Sequence, residues 1–225
     1  MNPGKKRFSR GRNDKAINGK TVMMRWLGCL LLLSLAGCAT VRPSNPNDIC
    51  SIFREKRDWY SAAKETQKKW SVPLQEPFAI LYQESGFREN AKAPRKHILW
   101  VIPWGRESSA FGYAQAENDV WKSYKRQTDN SGASRENFDD AMDFMGWYMD
   151  QTQRINGVPL RDVYRQYLNY HEGWGGYRRE TYERKPQVKV IARNVQARSE
   201  LFGQQYAACK TELDRGFWSR LWHSL

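Results

Sequence analysis

Three short stretches carry residues whose types and spacing suit chemistry. The first is Tyr82-Gln83-Glu84-Ser85-Gly86-Phe87. It sets a carboxylate at the end of an apolar helical run, one turn after Ile80 and Leu81. A carboxyl that loses solvent there has a raised pKa and keeps its proton near neutrality, as a general acid must. The bland alternative is a solvated glutamate at a helix end. The second stretch is Phe111-Gly112-Tyr113-Ala114-Gln115, and the third is Tyr170-His171-Glu172-Gly173-Trp174-Gly175-Gly176-Tyr177. Glycine lets backbone approach a ligand closely, and aromatic faces pack on sugar rings. Taken alone, the third reads equally well as a tight turn between helices. His97, His171 and Glu172 lack the spacing of a metal site, so neither a metal nor a cofactor is expected.

The elements that position these stretches read as helices. Ile49, Ile52, Phe53, Tyr60, Ala63 and Trp70 fall near one helical face, and Pro73 ends that segment. A second helix starts at Pro77 and stops at Gly86. Residues 88–112 read as a long structured loop containing Ile98, Leu99, Trp100, Val101, Ile102 and Trp104. A helix follows through Val120, Trp121 and Tyr124. The clearest stripe is Phe138, Ala141, Met142, Met145, Tyr148, Met149, Thr152 and Ile155, with Ser134 as its cap and Gly157 as its stop. Its methionines read as core packing. Another helix spans Pro159 to about Tyr170. The last starts near Pro186 and carries Val188, Ile191, Ala192, Val195, Phe202, Tyr206, Cys209 and Leu213 on one side. No alternating strand pattern exceeds four residues, so residues 49–213 are expected to form one all-α domain with its own core.

The amino-terminal part is of another kind. Arg25 precedes an apolar run from Trp26 to Leu35, too short to span a bilayer but suited to a signal-peptide core. The run ends in Leu35-Ala36-Gly37-Cys38, which resembles the lipobox of bacterial lipoproteins. Residues 1–37 are therefore expected to be removed, with Cys38 lipidated and residues 38–48 a linker. Met23 and Met24 stand where a start codon is expected, after an unusually long basic leader. Ala39 rather than Asp after Cys38 points to the outer membrane, facing the periplasm. Eight of the 37 basic and one of the 24 acidic residues precede Cys38, so the remainder carries +6 rather than +13. That charge suits an anionic polymer or a membrane surface, and the compartment makes nucleic acid an unexpected partner. An oxidising compartment makes a Cys50–Cys209 disulfide the default, worth about 4 to 5 kcal/mol by chain entropy before native strain is subtracted. Residues 214–225 read as a separate amphipathic tail after a break at Gly216. Its Trp218 and Trp222 lie with Arg215 and Arg220, a composition that suits a membrane interface or docking on the domain itself.

Together and in this order, the three stretches resemble the lytic transglycosylases of the soluble-lytic-transglycosylase type. Those carry a Glu-Ser pair, then Gly-Leu-Met-Gln, then Ala-Tyr-Asn-Ala-Gly. Glu84-Ser85 matches the first, Gly112 and Gln115 the ends of the second, and Tyr170 and Gly173 the third. His171 replaces Asn and Glu172 replaces Ala. The resemblance covers roughly residues 72–180 and implies a lysozyme-like helical fold, of the kind shared with goose-type lysozyme. It implies cleavage of the β-1,4 bond between N-acetylmuramic acid and N-acetylglucosamine in peptidoglycan, with Glu84 as acid and then base. Ser85, Tyr113, Gln115, Tyr170, His171 and Glu172 would meet or position the substrate. Two other readings stay open. One is a peptidoglycan-binding scaffold without turnover. The other is a lysozyme-like hydrolase that uses Glu172 as a second carboxylate. Glu172 equally reads as a structural residue pairing Arg178 or Arg179.

Overall fold

A computed structural model describes residues 42–98 and 102–223, and for 96–98, 102–105 and 216–223 the backbone alone. All of them fall in one unit, Val41–Leu225. The signal segment and residues 38–41 of the linker, Cys38 among them, lie outside the described residues, as do Leu99, Trp100 and Val101.

Among the described residues the unit has seven α-helices: α1 (Ile49–Glu55), α2 (Arg57–Trp70), α3 (Gln75–Ser85), α4 (Asn118–Gln127), α5 (Phe138–Asn156), α6 (Val163–Arg178) and α7 (Pro186–His223). A 3₁₀ turn at Thr181–Arg184 joins the last two. α3 packs between α5 and α7, α2 lies along α5, and α6 lies along α7. The aromatic centre holds this arrangement. Trp59 of α2 stacks on Phe138 of α5 with ring centroids 3.7 Å apart, and Phe78 of α3 meets Phe53, Phe87, Phe138 and Phe202 edge-on or tilted. Met142, Met145 and Met149 are buried in the core.

Several boundaries differ from those expected. The first segment is two helices, because the backbone leaves helical geometry at Lys56. α5 is capped by Asn137, whose side chain accepts from the Asp140 N–H, rather than by Ser134. Ile155 is exposed, since the last turn of α5 runs past the core. The long loop holds a two-stranded antiparallel hairpin, β1 (Arg95–Ile98) and β2 (Ile102–Arg106), with a bulge between Arg95 and His97. Strands of four and five residues carry too little alternation to be read from sequence. Among the described residues the domain is helical with this one hairpin. α7 runs through Gly216 without a break. One glycine costs a helix only about 1 kcal/mol relative to alanine, and no proline adds to it.

Cys50 of α1 and Cys209 of α7 are disulfide-bonded, with Cα atoms 6.0 Å apart, so the two ends of the domain are stapled together. No helix among the described residues is long and apolar enough to cross a membrane.

Candidate active site

Glu84 sits in the last turn of α3. Phe78, Ile80 and Leu81 are buried and fix the rotation of that helix, which leaves Glu84 partly exposed in a cleft of about 730 Å³. That size suits a bound oligosaccharide segment rather than a single small ion. Burial pushes the Glu84 carboxyl up to about 7, against a hydrogen bond from the Tyr167 hydroxyl that pulls it down. Ser85 lies about 100° further round the helix. It turns away from the cleft, is 1% exposed, and donates its hydroxyl to the Leu81 carbonyl at 3.3 Å. Ser85, expected to meet or position the substrate, thus lies against the helix that carries Glu84 rather than open to the cleft.

The second stretch forms the adjoining wall. Gly112 has φ +78°, and a Cβ there would stand 2.1 Å from the Arg135 carbonyl oxygen. Only glycine lets this strand of backbone lie so close to Arg135. Tyr113, also expected in the cleft, is 1% exposed and packs edge-on against Trp59 and Phe138. Its ring is apolar bulk, and the core takes it. Gln115 does line the cleft. It holds a left-handed φ of +50°, and its amide nitrogen donates to the carbonyls of Ala91 and Gly112, both at 2.8 Å. With the nitrogen committed, its carbonyl oxygen is the group able to accept from a substrate hydroxyl or N-acetyl N–H.

The third stretch is a bent helix. α6 has a non-helical residue, Gly173, at φ +69° and ψ 159°. The bend re-aims Trp174, which stacks on Tyr148 at 4.7 Å and donates its indole N–H to Thr152 at 2.9 Å. Asn156, at the end of α5, donates to the Trp174 carbonyl at 3.1 Å and to Asn169 at 2.6 Å, fixing the bend from below. Tyr170 donates its hydroxyl to the Ala114 carbonyl, joining the third stretch to the second. Burial first, and the charge of Glu84 second, hold its phenol well above the ordinary range, so it keeps its proton.

His171 and Glu172 both line the cleft, and they bond to each other at 2.9 Å. Glu172 is tied on every side: Lys185 at 2.9 and 3.0 Å, the Thr181 hydroxyl, and His171. Desolvation alone would raise its pKa. The bonds from Thr181, Lys185 and His171 outweigh it and hold the carboxyl below the usual range. The partner is Lys185, not Arg178 or Arg179, because the 3₁₀ turn brings the start of α7 back against the bend. No cluster of three or more His, Cys, Asp or Glu among the described residues is arranged to hold a metal.

The family model described as "Transglycosylase SLT domain" matches residues 26–209. The chain belongs to that family. Membership assigns it the helical lysozyme-like fold of transglycosylases that act on peptidoglycan. Searches of curated proteins and of solved structures gave no match. In this SLT domain, sequence reasoning missed Tyr148, Tyr167 and Trp174 as parts of the site. Tyr167 stands one helical turn before Tyr170, so the two share a face. That spacing was the available signal. Trp174 was in view within the third stretch, whereas Tyr148 is hidden in a stripe that reads as plain core. At the rim of the cleft stand Glu117 and Asp119, both exposed.

Proposed function

We propose that this chain is a lytic transglycosylase in which Glu84 alone carries both proton transfers. The protonated Glu84 gives its proton to the glycosidic oxygen as the bond from muramoyl C1 to that oxygen breaks. The resulting carboxylate then takes the proton of the muramoyl C6 hydroxyl, whose oxygen closes on C1. The product ends in 1,6-anhydro-N-acetylmuramic acid, Glu84 is protonated again, and no water is consumed. A carboxyl with a pKa near 7 suits such a double role, because both of its states are populated at working pH. Gln115, Tyr170 and Trp174 would orient the sugar and its N-acetyl group.

The observation that carries this reading is the contrast between Glu84, raised to about 7 by burial, and Glu172, held ionised by Lys185, Thr181 and His171. A hydrolytic route needs a second carboxylate free to serve water or the sugar. Glu172 already spends its oxygens on three partners. Digestion of peptidoglycan with wild-type protein and with Glu84→Gln, read by mass for anhydro ends, tests the reading. Anhydro products from wild type and none from the variant are expected.

Anchoring belongs to the same proposal. The lipobox-like Leu35-Ala36-Gly37-Cys38 supports a lipid on Cys38, and Ala39 supports the periplasmic face of the outer membrane. The Cys50–Cys209 disulfide accords with an oxidising compartment. Fractionation that placed the protein in the inner membrane would contradict this address.

A further inference from the structure

α3 carries a second carboxylate, and this one is buried. Glu76 stands in its first turn and is only 3% exposed. A helix N-terminus favours a negative charge nearby, but that benefit does not require burial. Nor does it explain why Glu76 Oε2 has no hydrogen-bond partner within the protein. Buried polar atoms are ordinarily paired, and an unpaired one costs stability. Burial pushes the carboxyl up to about 8, and the charge of Arg161 pulls the other way.

Glu76 lines a pocket of about 570 Å³ that shares no lining residue with the cleft of Glu84. The pocket lies where the first turns of α3 and α6 meet the middle of α7. Its other polar walls are Gln75, Arg161, Gln196, Ser199, Glu200 and Gln204. Both signs of charge are present, with two carboxylates and one guanidinium. The two exposed glutamines each offer a donor and an acceptor. A simple cation there is opposed by Arg161, and a simple anion by Glu76 and Glu200. A ligand bearing both charges on neighbouring atoms meets neither objection.

We propose that this pocket binds the zwitterionic head of an amino acid, its ammonium held by Glu76 and Glu200 and its carboxylate by Arg161. The ammonium would meet the Glu76 carboxyl from the side on which that residue lines the pocket. It also supplies the positive charge that lets Glu76 ionise where it is buried. Glu200, on the open side, takes a second ammonium proton. The guanidinium of Arg161 matches a carboxylate with two parallel donors. The inference does not depend on the cleavage chemistry.

The test is a titration of the isotope-labelled protein with alanine, alanine methyl ester and acetate, followed by amide NMR. Alanine should give saturable shifts at Glu76, Ser199 and Gly203. The ester and acetate each lack one charge and should bind roughly tenfold or more weakly. Glu76→Gln should weaken alanine binding roughly 10- to 100-fold, the loss of one charge-assisted hydrogen bond. Arg161→Gln should erase the preference for alanine over its ester. Glu76→Gln puts a neutral isostere into a buried site, so an unchanged amide spectrum elsewhere will show that it folds. It should also cleave peptidoglycan as wild type does, which separates this site from the cleft. The proposal is overturned if alanine gives no saturable shifts, if Glu76→Gln binds it equally, or if the ester binds wild type as tightly as alanine.

Discussion

The end of α3 and the bend of α6 face one cleft, yet they hold their carboxylates in opposite ways. Glu84 receives a hydrogen bond from Tyr167, and burial leaves it near 7. Glu172 receives bonds from Lys185, Thr181 and His171, and stays ionised. Burial acts on both. What differs is the number of donors aimed at each. A buried carboxyl with few donors is a proton store, whereas one with many donors is a fixed charge that ties elements together. Glu172 joins the bend of α6 to the 3₁₀ turn and the start of α7, and so holds Trp174 and His171 at the cleft.

Changing each residue in turn sharpens this contrast. The largest effect is expected from Glu84→Gln, which should lower the cleavage rate by about 10² to 10⁴-fold. Stability should not fall. A carboxyl raised in the fold weakens the fold as pH climbs from its ordinary value through about 7, so this variant should melt higher than wild type above that pH. Thermal melts at several pH values check this, beside the rate.

Glu172→Ala should act mainly on stability, because it strips a partner from Lys185 and Thr181. The expected loss is about 1 to 3 kcal/mol, below the figure for a fully buried pair because the Lys185 side chain is 44% exposed. The lowered pKa sets the window. The contribution is complete above the ordinary carboxylate value of 4.5 and fades as pH falls through the folded value. Denaturant titrations at neutral and acid pH read it. A rate loss as large as that of Glu84→Gln, at unchanged stability, would instead break the contrast and make Glu172 catalytic.

Much of this was legible in the chain. The stripe of α5, the Pro186 start of α7 and the Gly86 end of α3 follow from helical spacing and from residues that terminate helices. Glu84 stood out because a carboxylate ended an apolar run. What stayed hidden depends on tertiary approach. Ser85 and Tyr113 sit next to site residues in sequence but face inward, and one step along a helix or loop reverses exposure. Lys185 is thirteen residues from Glu172 and reaches it only because the chain folds back through the 3₁₀ turn. The hairpin at β1 and β2 is too short to announce itself.

A smaller effect is expected from Tyr167→Phe. The hydroxyl pulls the Glu84 pKa down, so its loss should let that pKa rise. The acid form of Glu84 would then persist to higher pH, and the descending limb of kcat/KM against pH should move upward with little change in melting temperature. The smallest is expected from Glu117→Gln or Asp119→Asn at the exposed rim. Rates within about threefold of wild type are expected there, since exposed surface charges contribute little. A large loss at either would mean that the rim holds a third carboxylate of consequence.

The most direct measurement is digestion of purified peptidoglycan in isotopically labelled water, with mass analysis of every muramoyl end. A single proton-carrying glutamate and an internal C6 nucleophile predict 1,6-anhydro ends that carry no label. Reducing muramoyl ends bearing oxygen from the labelled water would contradict the account and point to hydrolysis.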